Sequence, residues 1–427
     1  MHSCSDQRVE IEHTNDDIFI EERSGLGRVL VASRDFEVGE CVLQENPVLV
    51  WRAYYRESFL EQFKAASDQT KAAIMDMYHP SLAHSVKFPI VRRSLDTAAL
   101  YFRTECSLSV PEIAKLFLIC DINCHEYLGN FSEYGLHNPF SLSLQKAALF
   151  FKISKAAHSC DPNCVNTSKW GDGCMRLMAS KRIKKGEVIT HSYMYCDNVP
   201  AAERRAFLKE TKCFDCMCER CVAPDYCRGL RCIQDGCTGV TIRVDGDQGP
   251  WICSKCNAST SDHDLQPVIS NEKWIAQKFE AMQRSVQYGY GDVSPAQIQK
   301  FMEDTRKLLS PSHYLCVNMH DFLAKIAISR HQVRPCNQLL ETSALAGLHA
   351  VHLVECNMSC CTNSTSSCCH TPCPSRVANV LWALHDLVQF DRAKACAVAR
   401  RYAGTMRLMY GPEDKDVVLF ESMAAGS

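Results

Sequence analysis

Residues 155–164 read KAAHSCDPNC and hold two cysteines, Cys160 and Cys164, on either side of the triplet DPN, with His158 just upstream. Three interpretations of this stretch are open: a loop that ligates a metal, a Cys/His nucleophile pair, or a turn that happens to carry cysteines. The stretch alone does not separate them. The rest of the chain has to decide which chemistry these residues serve.

The composition places the chain among multidomain globular proteins. Its 427 residues exceed one core of ordinary size, so two or three domains are expected. Hydrophobic residues make up 46% and charged residues 22% of the chain, which is the globular range. The net charge of −2 gives no overall attraction to nucleic acid or membranes.

The cysteine content points to thiols and metal ligands. The N-terminal stretch MHSCSDQRVEIEHTNDDI is polar and acidic, unlike a signal peptide, and no apolar run approaches the roughly 20 residues that span a bilayer. We therefore expect neither secretion nor a membrane segment. In that setting the 27 cysteines are better explained as thiols and metal ligands than as a disulfide framework.

The secondary-structure pattern changes along the chain. Residues 1–15 are expected to be disordered, and residues 16–50 alternate apolar runs with Gly-containing turns, as β-strands do. Residues 52–120 contain no glycine and have helical spacing, whereas 148–195 return to short segments with turns. From about residue 270 onward the pattern is helical, as in an array of αα-hairpins, although no clean repeat period is visible.

The densest cysteine cluster is CFDCMCERC, residues 213–221. Cys216, Cys218 and Cys221 have the spacing C-x-C-x2-C, which can present three thiolates to one ion. A structural zinc needs a fourth ligand to complete its tetrahedron. The candidates for that ligand are Cys213, Cys227 and the distant Cys160.

A second set of cysteines has the spacing of a zinc ribbon. Cys232-x4-Cys237 is followed, after fifteen residues, by Cys253-x2-Cys256, and the stretch VTIRVDGDQGPWI between the two pairs is hairpin-like. Four thiolates leave no open position for a substrate, so this site would be structural. A third cluster at 356–373 fits no defensible metal spacing, and we interpret it as a mobile loop between helices.

Four segments together resemble a known family. Three of them resemble parts of a SET domain: GLGRVLVASRDFEVGECVLQENPVLV (25–50), AHSCDPNC (157–164) and KKGEVITHSYMY (184–195). The fourth resembles the post-SET helix and zinc loop of the SMYD branch: AAERRAFLKETKCFDCMCERC (201–221). The resemblance covers roughly 16–262 and identifies the chain as a SMYD-type protein-lysine methyltransferase. The family's MYND finger would fall in the cysteine-free stretch 42–105, so we expect a member without it.

The resemblance implies an α+β fold: a SET-domain β fold with a post-SET zinc loop and a zinc ribbon, followed by an all-α TPR-like C-terminal domain. The implied boundaries are 1–15 for the disordered N-terminus, 16–200 for the SET domain with a helical insertion at 52–120 in place of MYND, 201–225 for the post-SET zinc loop, 226–267 for the zinc ribbon-like segment and 268–427 for the helical TPR-like domain.

The resemblance also answers part of the question raised by the opening stretch. In the family the cysteine of this turn is the fourth ligand of the post-SET zinc, so Cys160 would join the three cysteines of the C-x-C-x2-C cluster. Two structural zinc ions are then expected, with Cys232, Cys237, Cys253 and Cys256 as the ligands of the second. A nucleophile pair is disfavoured, and Cys164 becomes a packing residue.

The cofactor implied by the family is S-adenosylmethionine. Tyr193 falls where the family has its catalytic tyrosine, and Phe214 where an aromatic ring stacks on adenine. The remaining implied contacts are cofactor-binding at Gly25, Leu26, Gly27, Asn123, His125, Ala157 and His158, and substrate-channel positions at Tyr193, Tyr195 and Lys212.

Three positions depart from the family pattern. Ala157 replaces an asparagine that contacts the cofactor, a loss of about 1–3 kcal/mol. His125 falls where a second cofactor-binding asparagine is common, and Asn123 is its potential substitute. Lys212 replaces a channel tyrosine. Its cation would oppose a charged substrate lysine and lower the pKa of that lysine, unless its long stem carries the charge out to water.

The expected function is S-adenosylmethionine-dependent methylation of lysine in a protein, histone or non-histone. The alternative is a SET-fold zinc protein with weak or no catalysis that acts as an interaction scaffold. Tyr193, Phe214 and the zinc frame favour the enzyme, whereas Ala157 and Lys212 favour the scaffold. We expect a monomer in the cytoplasm, the nucleus or both, without a membrane partner or direct nucleic-acid binding, since the zinc ribbon lacks a dense basic patch.

Overall fold

The structure, a computed structural model, describes most of the chain up to residue 310 and only parts of it beyond. Four parts of the chain with expectations attached lie outside the described residues: 1–15, Tyr195, the third cysteine cluster at 356–373 and most of 320–414. The expectations for them stay predictions. The described residues are 17–53, 55–102, 107–127, 146–168, 173–194, 199–246, 249–288, 293–310, 313–319, 322, 396, 399–400, 403–404, 407, 411 and 415–425.

Short strands between residues 18 and 191 form small sheets around one core. That core includes the fully buried side chains of Leu30, Phe36, Phe150 and Leu177. The strands β1 (Ile18–Arg23) and β2 (Gly27–Ala32) form an antiparallel hairpin, and β7 (Ala157–His158) and β10 (Thr190–His191) form a parallel pair. One three-stranded sheet has the order β3 (Cys41–Glu45), β9 (Met175–Ala179) and β8 (Cys164–Thr167). A second three-stranded sheet has the order β4 (Leu49–Arg52), β6 (Lys146–Leu149) and β5 (His125–Tyr127).

The glycine-free stretch after β4 is helical, as its sequence predicts. Its second core joins Phe59, Phe63 and Phe117 to Trp51 and Leu149 of the sheet. The helices are α1 (Arg56–Ala65), α2 (Asp68–Met75), α3 (Pro89–Tyr101) and α4 (Val110–Asn123), with a 3₁₀ turn at Leu82–Ser85. Local signals start them: Ser109 and Glu112 form a capping box at α4, and proline opens α3.

The cysteine-rich segment follows as two units. The first contains α5 (Ala201–Lys212) and the short α6 (Glu219–Val222). The second is an antiparallel sheet of order β11 (Leu230–Arg231), β12 (Val240–Arg243), β13 (Trp251–Cys253), β14 (Ser259–Thr260). The hairpin predicted between the two cysteine pairs is therefore present as β12 and β13.

The described helices between residues 266 and 306 pack on this four-stranded sheet. Buried Trp251 and Leu230 of the sheet share a core with Ile269, Phe279 and Phe301. The helices are α7 (Gln266–Tyr288), α8 (Pro295–Arg306) and, near the end of the chain, α9 (Lys415–Ala425). A TPR-like arrangement stays a prediction. Among the described residues no helix combines the length and apolarity needed to cross a membrane.

Candidate functional site

The first site is a buried cluster of four thiols. Cys160 lies in the turn after β7, and Cys216, Cys218 and Cys221 surround α6; all four sulfur atoms lie within 4.8 Å of one another. The Cys160 sulfur is 3.5 Å from that of Cys221 and 4.0 Å from that of Cys216. Four sulfurs bound tetrahedrally at about 2.3 Å from zinc are about 3.8 Å apart. The cluster therefore fits a zinc ion.

The structure also separates the candidates for the fourth ligand. Cys213 packs in an apolar cluster with Phe88 and Leu118, away from the other thiols. Cys227 accepts a hydrogen bond from Arg220 at 3.5 Å and does not belong to the four-sulfur cluster. Cys160 completes the set, although 56 residues separate it from Cys216.

Two buried arginines surround the first cluster and match the charge of a metal-thiolate centre. Arg204 is 1% exposed and Arg220 9%. Arg204 donates to the sulfur of Cys221 over 3.8 Å, and Arg220 donates to the Cys160 carbonyl over 2.8 Å. One Zn²⁺ with four thiolates has a formal charge of −2, which two guanidinium groups offset. Four neutral thiols would offer these cations no such compensation.

The second cluster has the same geometry at the protein surface. Cys232 and Cys256 have their sulfurs 3.7 Å apart, as do Cys237 and Cys253. The backbone amide of Gly239 donates to the Cys237 sulfur at 3.3 Å, an interaction typical of metal-binding turns. A Cβ on Gly239 would lie 2.5 Å from the Cys253 sulfur, so only glycine fits there. In both clusters four sulfurs would surround a bound ion and leave no open position for a substrate, as in structural zinc sites.

The turn of the opening stretch is joined to the strand that leads to Tyr193. The Ala157 amide donates to the Ile189 carbonyl at 3.0 Å. Asn163 holds the other end: its Oδ1 accepts from the Thr190 amide at 2.8 Å and its Nδ2 donates to the Val188 carbonyl at 2.8 Å. The sequence analysis did not single out Asn163. Its amide can donate and accept hydrogen bonds at the same time, and such a side chain inside a turn could have indicated this bracing role.

Tyr193 is enclosed by aromatic rings at the point where these strands meet the first cluster. Its hydroxyl donates to the Ala156 carbonyl at 2.7 Å. Its ring centre lies 5.1 Å from that of His158, 4.9 Å from that of His191 and 6.4 Å from that of Phe214. Burial raises the pKa of the Tyr193 phenol, which therefore stays protonated and acts as a donor.

Three imidazoles belong to the same cluster of rings as Tyr193, and burial keeps them neutral. It lowers the pKa of His125 to about 3, with a further contribution from Lys212, and that of His158 to about 4. The pKa of His191 is also lowered, chiefly by burial. Nδ1 of His191 is buried and has no hydrogen-bond partner among the described residues. A buried nitrogen of this kind marks a place where a ligand could supply the missing hydrogen bond.

Lys212 does not carry its charge out to water, which corrects one of the two expectations for it. Its Nζ donates to the carbonyls of Asp121, at 3.0 Å, and Ile122, at 2.8 Å, in the last turn of α4. A cation at a helix C-terminus satisfies free carbonyls and interacts favourably with the helix dipole. Burial lowers the pKa of this ammonium, which lies 5.8 Å from the centre of the Tyr193 ring.

Asn123 is committed to the interior of the insertion. Its Nδ2 donates to the Tyr78 and Ile119 carbonyls, each at 2.9 Å, and the residue is buried. It therefore has no free amide donor for a cofactor, in contrast to the role expected for it. His125 remains in the ring cluster around Tyr193, with its ring centre 5.3 Å from that of His191.

The chain turns sharply between Lys212 and Phe214. Cys213 adopts a left-handed conformation with a φ of 65°, unusual for a residue other than glycine, and this ends α5. The turn brings the Phe214 ring to 5.9 Å from that of His158. In the β1–β2 turn, Gly25 and Gly27 also have positive φ, 78° and 71°.

Comparisons with known proteins agree with this arrangement. The family model described as SET domain matches residues 27–194. The chain is 27% identical over 181 residues to Histone-lysine N-methyltransferase ASHR1 of Arabidopsis thaliana, a match covering 40% of this chain and 35% of that protein. It is 35% identical over 115 residues to SET domain-containing protein SmydA-8, isoform B, of Drosophila melanogaster, covering 26% and 25%.

A SET and MYND domain-containing protein of Dictyostelium discoideum is 32% identical over 122 residues, which cover 27% of this chain and 29% of that protein. These matches span only about a quarter to a third of the relatives' own lengths. Whether the MYND finger is missing here stays a prediction. The chain therefore contains a SET domain over residues 27–194, and its similarity to SMYD-type SET proteins supports a SMYD-like member of that group.

Proposed function

We propose that the protein is an S-adenosylmethionine-dependent protein-lysine N-methyltransferase that acts on a histone or non-histone protein. The observation that carries the proposal is the partly buried Tyr193 phenol, which donates to the Ala156 carbonyl inside the matched SET domain and beside the first thiol cluster. Histone-lysine N-methylation is the activity in the name of the relative from Arabidopsis thaliana.

The chemistry of the residues around Tyr193 is compatible with the cofactor that SET methyltransferases use. Phe214 offers an aromatic face for a purine ring, the unpartnered Nδ1 of His191 offers a polar contact, and the turn at Gly25 and Gly27 lets backbone approach a ligand. When bound, S-adenosylmethionine supplies a methyl group activated by its sulfonium charge.

The protein's own residues would provide alignment, a dry environment and control of one proton. Tyr193 is fixed by its hydroxyl, so it presents a constant position against which the lysine amine can be oriented. The amine has to be neutral to attack. Burial among neutral imidazoles and the nearby charge of Lys212 both lower the pKa of an incoming ammonium group, which favours its neutral form.

A second function, that of a SET-fold scaffold without catalysis, is supported by two residues. Ala157 has no side-chain polar group for the cofactor, and Lys212 places a cation near the expected path of a charged substrate. Both functions would use the helical C-terminal region to contact partner proteins. A monomer located in the cytoplasm, nucleus or both remains part of the proposal.

Methyl transfer to an array of lysine-containing peptides, with labelled cofactor and the full-length protein, tests the proposal. The enzyme should label a subset of peptides, and Tyr193→Phe should slow labelling while leaving cofactor affinity nearly unchanged, because the hydroxyl acts mainly on alignment. Calorimetry separates the two functions. The scaffold gives no heat of cofactor binding, in the native chain or in Ala157→Asn.

A further inference from the structure

The hydrogen bonds of His158 define which of its ring nitrogens carries the proton. The backbone amide of Tyr193, which can only donate, lies 3.0 Å from Nδ1 of His158. Nδ1 is therefore the acceptor and has a free lone pair. In the neutral ring the hydrogen must then be on Nε2, the other nitrogen.

That second nitrogen faces the first thiol cluster. Nε2 of His158 lies 3.2 Å from the sulfur of Cys160, so its N–H group donates to that sulfur. Cys160 lies in turn 3.5 Å from Cys221, sulfur to sulfur, within the four-thiol cluster. The His158 imidazole thus joins Cys160 of the cluster to the backbone of Tyr193, the tyrosine expected to be catalytic. Tyr193 comes 35 residues after His158 in the chain.

The His158 ring also packs against two aromatic side chains, those of Tyr193 and Phe214. Its centre lies 5.1 Å from that of Tyr193 and 5.9 Å from that of Phe214. A displacement of His158 would therefore move the Tyr193 backbone and disturb both aromatic neighbours. The hydrogen bond to Cys160 limits such a displacement, provided that the sulfur is itself fixed.

We propose that His158 is a positioning residue through which zinc binding at the first cluster fixes Tyr193. A zinc-bound thiolate is a charged, immobile acceptor, whereas a free thiol is a weak acceptor on a rotatable side chain. Zinc would thus hold Cys160, Cys160 would hold His158, and His158 would hold the Tyr193 amide. The catalytic part of this inference rests on the proposed function, but the coupling does not.

Hydrogen exchange in the full-length protein tests the coupling without any methyl-transfer assay. With ¹⁵N-labelled tyrosine, the Tyr193 amide should exchange roughly fivefold to tenfold faster after chelation of zinc, the range expected for losing one ordinary hydrogen bond. The Tyr127 amide, in a strand that does not contact the cluster, serves as the internal control and should change little. Cys256→Ser, which affects the second cluster alone, should leave Tyr193 exchange slow.

Two variants separate positioning from a merely structural role. His158→Asn places an acceptor near the position of Nδ1 and lacks the donor to Cys160, so Tyr193 exchange should stay slow but lose its dependence on zinc. His158→Gln places a donor near Nε2 and lacks the acceptor, so exchange should be fast with or without zinc. In cobalt-substituted protein, the thiolate-to-metal absorption should shift in the Asn variant and much less in the Gln variant.

The coupling would be refuted if zinc removal left Tyr193 exchange in the native protein unchanged relative to Tyr127. It would equally be refuted if His158→Asn kept the full zinc dependence, since the path through His158 would then be irrelevant. A protein that shows the coupling but transfers no methyl group would retain this inference and lose the proposed function.

Discussion

Nη2 of Arg204 donates to the sulfur of Cys221 over 3.8 Å, and Arg204 is 1% exposed. The same nitrogen donates to the Arg220 carbonyl at 3.3 Å, and Nη1 donates to the Val199 carbonyl at 2.6 Å. A guanidinium buried among carbonyls and sulfurs needs a negative charge nearby, and a zinc-thiolate centre at the first cluster would provide it.

Arg204→Met should therefore weaken the first metal centre. It keeps an unbranched apolar stem and removes the charge, leaving the metal-thiolate anion undercompensated, at a cost of about 3–5 kcal/mol in the free energy of unfolding. Urea denaturation and zinc retention during dialysis against a chelator measure the two effects. Lys209→Met is the matched control on the same helix: its partner Asp215 is exposed, so we expect a change within about 0.5 kcal/mol. Full zinc retention and native stability in Arg204→Met would contradict the charge argument.

The native protein should contain about two zinc ions, one in each four-cysteine cluster. Cys160→Ser should lose one ion and become unstable, because its site joins the SET strands to the post-SET loop. Cys256→Ser should lose the other, and that ion should also be the first taken by a chelator, since Cys256 is exposed. Elemental analysis measures the zinc content of each protein.

Cys164→Ala, a change in the apolar core, is the control and should keep both ions. A Cys160→Ser protein with its full zinc content would show that Cys160 is not a ligand.

Acid should destabilise the junction between the ribbon-like sheet and the C-terminal helices. Burial alone would raise the pKa of Glu272, but hydrogen bonds from His313 and Arg228 outweigh it and lower the pKa from 4.5 to about 2. A carboxyl group whose pKa is lower in the folded state stabilises the fold above pH 4.5, and this contribution is lost as the pH falls toward 2.

The pKa of His313 is lowered too, chiefly by burial, so the unfolded chain takes up this proton first as the pH falls below 6.5. Both groups therefore act in the same direction. Urea midpoints measured against pH should show Glu272→Gln less stable than the native protein at neutral pH, with the gap narrowing between pH 4.5 and 2. Glu280→Gln, at an exposed ion pair with Arg284, should stay close to native throughout. A gap independent of pH would contradict the assignment.

Ala157→Asn should tighten cofactor binding. The position lies on β7 with its amide bonded to the Ile189 carbonyl, so a longer side chain can be added without changing that backbone bond. One restored amide contact is worth about 1–3 kcal/mol, or roughly 5- to 150-fold in affinity. Titration calorimetry with S-adenosylmethionine measures it. An unchanged affinity would mean that residue 157 does not face the cofactor.

The sequence predicted those features that depend on local spacing. The cysteine intervals identified both clusters, and the hairpin-like stretch between the two cysteine pairs of the second cluster predicted the β12–β13 hairpin. The assignment of Cys160 came from the family resemblance. Features that depend on distant contacts were not predicted, because periodicity carries no information about them. Arg204 at the first cluster is one case, and Lys212 is another: its Nζ donates to a carbonyl 91 residues earlier in the chain.

The proposed lysine methylation and the role of Tyr193 in it are tested most directly by comparing methyl transfer between the native protein and Tyr193→Phe. Both would be incubated, zinc-loaded and at full length, with labelled S-adenosylmethionine and a protein extract depleted of existing lysine methylation, and modified lysines would be located by mass spectrometry. We predict lysine-specific labelling by the native protein that falls at least tenfold in the Phe variant, a loss of about 1.4 kcal/mol or more of transition-state stabilisation. Absence of lysine labelling by the native protein and by Ala157→Asn alike, with both zinc ions bound, would contradict it.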